Sequence, residues 1–344
     1  MKPAAITSYI DKILTWPNPL AERDLKHYLE VILALRERGL EPVVTLHHFT
    51  NPLWFALKSG WQNKESVGFF LSFVERLVEH LCPYVRFWVT INEPMVYVYH
   101  AYALGIWPPQ ERSLKVAEEV SDNLLSAHVE AYRLIQAIYK KKNLPLPMVS
   151  LAHNLQAFVV CKDTLRNRIA LNLRSQRFNF EFINRAIKNK SLDFLGINYY
   201  SRSLVDTRGW GISNLLLDTC IKNHSDLPKN SMGWDIYPQG LYDLLLRLKN
   251  YGLPVFILEN GICTEEDELR WDFIRRHVEV MHQAMQKGVN LLGYLYWSLL
   301  DNFEWDKGFS PRFGLVGVDY LTFKRTPRSS AQKFAQVCRS GVLE

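Results

Sequence analysis

Two glutamates follow two β-rich segments in the same way. The segment "FWVTINEP", residues 87–94, ends in Glu93 and a proline, and "PVFILENG", residues 254–261, ends in Glu259 and a glycine; an asparagine stands beside each glutamate. Turn chemistry alone explains one such glutamate, because asparagine, glycine and proline are the residues with which chains turn. Two in the same arrangement indicate a pair of carboxylates that act together in acid, base or nucleophilic chemistry.

The residues that end the other predicted strands are polar or aromatic, as an exposed rim would require. They are His48, His153, Asn198 to Tyr200 and Trp297. Planar rings and hydrogen-bonding groups together suit a sugar. Paired carboxylates suit cleavage of a glycosidic bond, because one protonates the leaving oxygen while the other stabilises or attacks the anomeric carbon. Burial and a neighbouring negative charge should raise the pKa of one acid, while hydrogen bonds keep the other ionised.

Short β-rich segments alternate with longer helical patterns, which predicts βαβ units around a parallel sheet. The predicted strands are 43–48, 87–92, 148–153, 194–199, 255–259 and 291–297. The predicted helices are 18–39, 66–81, 114–142, 174–190, 239–250 and 265–287. In such a sheet the carboxyl ends of all six strands meet at one edge, so the two glutamates should share it.

The fold class predicted from this order is α/β, a (β/α) TIM-type barrel with about six of the usual eight strands. No linker or repeat divides the chain, so residues 1–344 are predicted to form a single domain. Residues 4–16 suit either a substitute strand or a helix. The longest irregular stretch, 201–238, follows a strand end, where a (β/α) barrel carries its binding loops.

Composition excludes several other classes of protein. The 344 residues are 48% hydrophobic and 22% charged, the balance of a globular protein, and the net charge of +6 is scattered, which argues against a nucleic-acid partner. No apolar stretch is long enough for a membrane span.

An odd number of scattered cysteines argues against a disulfide framework and a zinc site, and predicts a reducing, cytoplasmic location. The five cysteines are Cys82, Cys161, Cys220, Cys263 and Cys338.

The sequence resembles glycoside hydrolase family 1, the retaining β-glycosidases built on a TIM barrel. The resemblance extends from about residue 25 to residue 335, in the family's order, and rests on seven segments. They are "PVVTLHHFTNPLWF", "FWVTINEP", "DFLGINYYSR", "MGWDIYPQGL", "FILENG", "GYLYWSLLDNFEWDKGFSPRFGLVGVD" and "KRTPRSSAQKF". One such motif would be weak, whereas seven in register are specific.

The resemblance implies roles for the residues at the two glutamates. Glu93 would be the general acid and base, and Glu259 would be the nucleophile of a double displacement. Asn92 would hold the sugar's 2-hydroxyl, and Tyr200 would donate a hydrogen bond to the nucleophile. The resemblance implies no cofactor and no metal.

Other residues would bind the remainder of the sugar. His48 would bind the 3-hydroxyl, Trp297 would form a platform under the ring, and Asn198 lies at the same rim. Glu304 and Trp305 would hold the 4- and 6-hydroxyls. A carboxylate there repels phosphate, so the resemblance favours an unphosphorylated sugar.

The family's first two strands, which supply an arginine near the nucleophile, have no counterpart in this sequence. Loss of that cation would raise the pKa of Glu259. The leading hypothesis is a retaining β-glucosidase-like enzyme acting on small β-glycosides or oligosaccharides, and the alternative is a carbohydrate-binding pseudoenzyme with little turnover. An open sheet edge is predicted to be covered by the N-terminal segment, by a rearranged loop or by a second copy in a homodimer.

Overall fold

A parallel sheet of six strands forms the centre of the protein in the computed structural model, which describes residues 19–218, 220, 225 and 227–343. The order across the sheet is β1-β2-β3-β5-β7-β8, and each neighbouring pair is parallel. These strands are β1 Val43–His47, β2 Phe87–Asn92, β3 Met148–Asn154, β5 Leu195–Asn198, β7 Val255–Asn260 and β8 Leu291–Tyr296. The prediction of six parallel strands in an incomplete barrel is confirmed. The predicted element at 4–16 lies outside the described residues.

Helices follow most of the strands and cover the outer face of the sheet. The longest, α5, begins after Ser113, whose side chain accepts a hydrogen bond from the Val116 backbone N–H, as a helix N-cap does. The helices are α1 Pro19–Glu37, α2 Leu53–Leu57, α3 Ser66–Leu81, α4 Pro94–Val98, α5 Leu114–Lys141, α6 Leu165–Arg174, α7 Glu181–Lys188, α8 Ile212–Leu217, α9 Pro238–Leu248, α10 Asp267–Gln286 and α11 Ser329–Ser340. None of the described helices is long and apolar enough to cross a membrane.

The central strands are buried along almost their whole length. In β7 every residue is buried, and in β2 and β3 every residue but the first is buried. Strands covered on both faces form continuous apolar runs, which explains why their sequences lack clear alternation. The largest core side chains include Trp88 on β2, whose indole N–H donates to the Tyr139 hydroxyl at 2.9 Å and so fastens β2 to α5.

The stretch 201–238 contains more regular structure than its sequence predicted. Strand β6, Arg202–Val205, pairs in parallel with β4, Ala157–Val160, and forms a separate two-stranded sheet above the carboxyl edge of the main sheet. Helix α8 lies in the same stretch. Both strands are only four residues long, too short for a periodic pattern to be recognised. A second small sheet pairs β9, Val316–Val318, with β10, Arg325–Pro327.

One cysteine pair corrects the sequence prediction. The structure joins Cys161, just after β4, to Cys220, just after α8, by a disulfide bond. The odd number and wide spacing of the cysteines did not predict this bond, because the two residues become neighbours only through the folding of the chain. Cys82, Cys263 and Cys338 are free. The reducing, cytoplasmic location, which rested on the cysteine pattern, stays a prediction.

Candidate active site

A cavity of about 960 Å³ lies at the carboxyl edge of the main sheet. This volume is at the upper end of the usual range for small-molecule sites and leaves room for more than one sugar ring. The cavity is lined by seven of the residues predicted from the sequence: His48, Glu93, Tyr200, Glu259, Trp297, Glu304 and Trp305. The two other predicted residues lie below it: Asn92 lines a smaller adjoining cavity, and Asn198 is fully buried.

Glu93 occupies a strained position between β2 and α4. Its φ of 45° lies in the left-handed region, which costs a non-glycine residue ~1–3 kcal/mol and is characteristic of functional sites. Its backbone N–H donates to the Ala152 carbonyl at 2.7 Å, which ties the turn to β3. Its carboxylate Oε1 accepts hydrogen bonds from the side-chain amides of Asn154 at 2.9 Å and Asn198 at 2.8 Å.

Burial raises the pKa of Glu93, and the two amide donors lower it only in part. Amide donors stabilise the ionised carboxylate because they point N–H groups at its oxygen. Glu93 therefore combines a buried environment, which favours the protonated form, with a fixed orientation of the oxygen that the amides bind.

Glu259 lies near the end of β7, where its carboxylate Oε2 accepts a hydrogen bond from the Tyr200 hydroxyl at 2.6 Å. Burial raises the pKa of Glu259 well above its usual value, the charge of Glu93 adds to this, and the Tyr200 hydroxyl opposes it. Two buried carboxylates that repel one another titrate as a pair, so the first proton to bind neutralises one of them and relieves the repulsion.

No guanidinium or ammonium group hydrogen-bonds either glutamate within the described part of the chain; the donors are amides and a phenol. The pKa of Glu259 is raised, and burial is the main cause, followed by the charge of Glu93. The structure differs from the expectation that hydrogen bonds would keep one acid ionised, since the pKa of each glutamate is raised.

A buried polar chain runs under the cavity from His48 to Glu93. The side-chain amide of Asn92 lies 3.1 Å from Nε2 of His48, and Asn198 donates to Oδ1 of Asn92 at 3.1 Å. Burial, with the nearby His47, lowers the pKa of His48 to about 4, so its ring is neutral at physiological pH. A neutral imidazole beside an amide can donate to or accept from sugar hydroxyls without adding charge.

Two tyrosines that follow β5 point in different directions, as alternation along an extended segment predicts. Tyr199 is fully buried, and its hydroxyl donates to the Tyr237 carbonyl at 2.6 Å. Tyr200 faces the cavity and Glu259. The structure thus brings Tyr200 to the position that the resemblance implied.

The asparagine and glycine after Glu259 fasten β7 to its neighbours. Asn260 donates to the Tyr199 carbonyl at 2.7 Å and accepts from the Tyr294 hydroxyl at 3.1 Å. A Cβ on Gly261 would overlap the carbonyl oxygen of Trp297, so only glycine permits this close approach. Asn260 and Gly261 therefore set the position of the Trp297 backbone relative to Glu259.

Glu304 and Trp305 lie in a tight turn after β8. Burial raises the pKa of Glu304 to about 7, and the charges of Glu93 and Asp306 add to the effect. Its Oε2 is buried and has no hydrogen-bond partner among the described residues. The Trp305 ring lies 5.3 Å from that of His48 and 5.1 Å from that of Phe49. An unpartnered buried oxygen beside aromatic rings is suited to accept a hydrogen bond from a ligand.

The sequence analysis missed Asn154 and misplaced His153. His153 is fully buried away from the cavity, and its Nε2 contacts the Phe178 carbonyl at 2.8 Å. Asn154, one residue further along, binds Glu93 and lines the cavity. Because adjacent strand residues face opposite sides, an error of one residue in the strand end exchanged the core residue for the cavity residue.

The described residues contain no cluster of three or more side chains that could bind a metal ion. The groups that line the cavity include carboxylates, amides, hydroxyls, imidazoles and aromatic rings, and Arg174, Arg202 and Lys307 also line it. Such a set can transfer protons, attack an electrophilic carbon and hold a polyhydroxylated ring.

Comparisons with known proteins agree with this geometry. The sequence model described as "Glycosyl hydrolase family 1" matches residues 17–184 and 148–341. A Beta-galactosidase of Sulfolobus acidocaldarius is 32% identical over 96% of this chain and 73% of its own length, and Beta-glucosidase A of Thermotoga maritima is 31% identical over 96% and 82%.

Solved structures match in fold as well. A beta-glycosidase from Pyrococcus horikoshii has a TM-score of 0.86 and 38% identity, covering 94% of this chain and 77% of that protein. A Beta-glucosidase from Thermotoga maritima in complex with deoxynojirimycin has a TM-score of 0.83 and 30% identity, covering 94% of this chain and 79% of that one.

Proposed function

Since this chain belongs to glycosyl hydrolase family 1 and is a glycoside hydrolase of the β-glycosidase type, we propose that it removes terminal, unphosphorylated β-linked sugars by retaining double displacement. The observation that carries the proposal is that two buried carboxyl groups, Glu93 just after β2 and Glu259 on β7, line one cavity at the carboxyl edge of the sheet. The substrate is proposed to be a small β-glycoside, with glucose as the leading candidate for the terminal sugar.

In the first step Glu259 attacks the anomeric carbon while Glu93 donates its proton to the leaving oxygen. The glycosidic C–O bond breaks, the aglycone leaves as a neutral alcohol, and the sugar stays on Glu259 as an ester. In the second step the ionised Glu93 takes a proton from water. The oxygen of that water attacks the anomeric carbon, and Glu259 leaves as a carboxylate.

The charges at the site favour a single proton on the pair of carboxyl groups, and the proposal places that proton on Glu93. The reaction begins with one proton on the pair, and the mutual repulsion of the two buried carboxylates favours that singly protonated state. The Tyr200 hydroxyl stabilises negative charge on Glu259. Glu93 keeps one oxygen bound to two amides, which leaves the other free to hold the proton.

The sugar-binding roles are proposals of the same kind. Asn92, held by Asn198 and beside neutral His48, can present its amide to the 2-hydroxyl, an interaction that strengthens in the oxocarbenium-like transition state. Trp297 offers an aromatic face to the C–H groups of the ring. The free oxygen of Glu304 can accept from the 4- or 6-hydroxyl, and its negative charge would oppose a 6-phosphate.

A chromogenic aryl β-glucoside tests the proposal directly. Glu259→Ala should lower the hydrolysis rate by ~10⁴-fold or more, because no other group supplies the nucleophile. The matched control is Glu119→Ala, which removes an exposed glutamate on α5 and should leave the rate unchanged. A wild-type rate no higher than that of Glu259→Ala would reject the proposal and favour the sugar-binding alternative.

The retaining mechanism needs its own measurement. A 2-deoxy-2-fluoro β-glycoside with a good leaving group should form a stable ester, because the fluorine slows the second step more than the activated first step. Mass spectrometry should find the added sugar mass on the peptide that contains Glu259. An adduct on another peptide would remove Glu259 from the nucleophile role.

A further inference from the structure

One hydrogen bond joins two loops that are far apart in sequence and both line the cavity. The indole Nε1 of Trp107 donates to Oδ1 of Asp306 at 2.9 Å, across 199 residues of sequence. Trp107 lies in the loop after the helical segment that begins at Glu93, and Asp306 lies in the turn after β8. The hydrogen bond therefore connects the chain segment that follows Glu93 to the turn that carries Glu304 and Trp305.

The Trp107 ring is fixed by its own neighbours. It stacks on the His100 ring at a centroid distance of 4.7 Å, and the Phe49 ring lies 4.9 Å away. The backbone N–H groups of Ile106 and Trp107 both donate to the His100 carbonyl, at 2.7 and 3.1 Å. The donor N–H is thus presented from a packed and hydrogen-bonded loop.

The turn that carries Asp306 is compact, which allows one contact to position several side chains. The Glu304 N–H donates to the Gly308 carbonyl at 2.7 Å, and the Lys307 N–H donates to the Glu304 carbonyl at 2.8 Å. Trp305 has a φ of 46°, an unfavourable conformation for a bulky residue that persists only when neighbouring contacts hold it. Asp306 follows Trp305 directly, so a restraint on Asp306 acts on the strained residue.

We propose that Trp107 and Asp306 form a positioning pair that holds the Glu304–Trp305 turn against the sugar. This inference rests on the proposed function, because it assigns the pair to sugar binding in that same cavity. Asp306 also pairs with Lys307 at 2.5 Å, so its carboxylate is held between an indole N–H and an ammonium group. Neither Trp107 nor Asp306 needs to touch the reacting atoms in this role.

A direct role in binding the leaving group is the competing explanation, since both side chains line the cavity. Positioning through Glu304 predicts an effect on the sugar's hydroxymethyl end, whereas contact with the leaving group does not. Aryl β-glucoside and aryl β-xyloside with the same aryl group separate the two, because the xyloside lacks the hydroxymethyl group that Glu304 is proposed to bind.

Three single variants and one double variant test the pair. Trp107→Phe keeps a ring but removes the donor, Asp306→Ala removes the acceptor, and Asp306→Asn keeps an oxygen acceptor. Trp107→Phe and Asp306→Ala should each raise KM for the glucoside by about three- to tenfold, the range of a modest hydrogen bond, with a smaller change in kcat. Asp306→Asn should have a KM close to that of the wild-type protein. The double variant, Trp107→Phe with Asp306→Ala, should have a KM no higher than that of the more impaired single variant. The KM for the xyloside should change less than the KM for the glucoside.

The positioning role of Trp107 and Asp306 and the proposed hydrolysis can be rejected independently of one another. If the variants raise KM equally for both substrates, and additively in the double variant, the side chains contact the leaving group directly and the positioning role is overturned. Unchanged KM values in the variants would also overturn the positioning role. If wild-type protein hydrolyses neither substrate, calorimetric binding of deoxynojirimycin replaces the kinetic test. Weaker binding by Trp107→Phe and Asp306→Ala, recovered by Asp306→Asn, would then support the pair while the proposed function fails; equal binding by all forms would overturn the pair.

Discussion

Neighbouring strands β7 and β8 differ sharply in their environment. Every residue of β7 is buried, whereas no residue of β8 is. Strand β7 is paired on both sides, with β5 and β8, while β8 has a partner on one side only among the strands of the described residues. The buried strand carries Glu259, and the less buried one leads to Trp297, Glu304 and Trp305. Glu259 thus depends on the core of the sheet, and the turn that we propose to bind the sugar depends on its edge.

The difference separates two physical requirements of the site. A carboxyl group that acts as a general acid needs a raised pKa and a fixed orientation. For Glu93, the proposed acid, burial provides the first and the amides of Asn154 and Asn198 provide the second. A sugar-binding residue needs only a well-placed acceptor or ring. On the β8 side, where the sheet gives less support, contacts between loops such as that from Trp107 to Asp306 supply the placement.

The largest effect should follow from changing the central strands. Glu93→Gln removes the proton donor but keeps the shape and the amide contacts, so kcat/KM for a glycoside with a poor leaving group should fall by ~10²–10⁴-fold. A nitrophenyl-type leaving group needs less protonation, so the first step should be much less impaired with it. Steady-state kinetics with a series of aryl glycosides measures this, and an equal loss across the series would contradict the acid role.

Stability should follow the same division between core and edge. Leu151 on β3 is 1% exposed and Leu295 on β8 is 41% exposed. Leu151→Ala should cost ~2–5 kcal/mol of unfolding free energy, because it removes buried contacts and leaves a cavity. Leu295→Ala should cost less than ~1 kcal/mol. Urea denaturation of the two matched variants measures the difference.

The same pair of variants tests whether a second copy covers the open edge. If Leu295→Ala costs as much as Leu151→Ala, the edge is covered in solution. Under the homodimer prediction that cost should grow with protein concentration, since association stabilises the folded state by mass action. Light scattering of the wild-type protein would then show a dimer, and a monomer at all concentrations would contradict that prediction.

A smaller loss of activity should result from removing the phenol beside Glu259. Tyr200→Phe deletes the hydroxyl that donates to Glu259 at 2.6 Å, a hydrogen bond to a charged group worth ~1.5–3 kcal/mol, so kcat/KM should fall by about 10- to 100-fold. The acidic limb of the pH profile should also move to higher pH, because the hydroxyl lowers the pKa of Glu259.

Its neighbour Tyr199 provides the control. Tyr199→Phe removes a hydrogen bond to the Tyr237 carbonyl in the core, so it should lower stability and leave the pH profile in place. Equal shifts of the pH profile in both variants would show that the change in Tyr200→Phe is a general loss of structure.

The sequence predicted those parts of the molecule that depend on local patterns. Strand positions were predicted because β-rich runs and turn residues lie next to one another in the chain, and Glu93 and Glu259 were found because they end such runs. Asn154 was missed because a strand end is uncertain by a residue or more, and one residue changes the face.

Contacts between distant segments could not be predicted in this way. The disulfide between Cys161 and Cys220 and the bond from Trp107 to Asp306 join residues that no local pattern relates. Burial and, through space, the charge of Glu93 raise the pKa of Glu259. The sequence predicted a raised pKa for one acid of the pair, whereas in the folded chain both pKa values are raised because both carboxyl groups are buried.

The last expected effect concerns Glu304: burial, together with the charges of Glu93 and Asp306, raises its pKa from 4.5 to about 7. Between pH 4.5 and about pH 7 the Glu304 carboxyl group holds a proton in the folded protein but has released it in the unfolded chain. The stability due to this proton is therefore present at low pH and is lost as the pH rises through this window.

Glu304→Gln cannot titrate, so the stability of wild type minus that of the variant should fall from pH 4.5 to pH 7 and then level off. Urea midpoints at several pH values measure this, with Glu119→Gln, on an exposed glutamate, as the control that should show no such trend. Parallel curves for wild type and Glu304→Gln would mean that Glu304 is as well solvated as an ordinary surface acid, and the contrast between the core and the edge of the sheet would then extend to the sugar-binding turn itself.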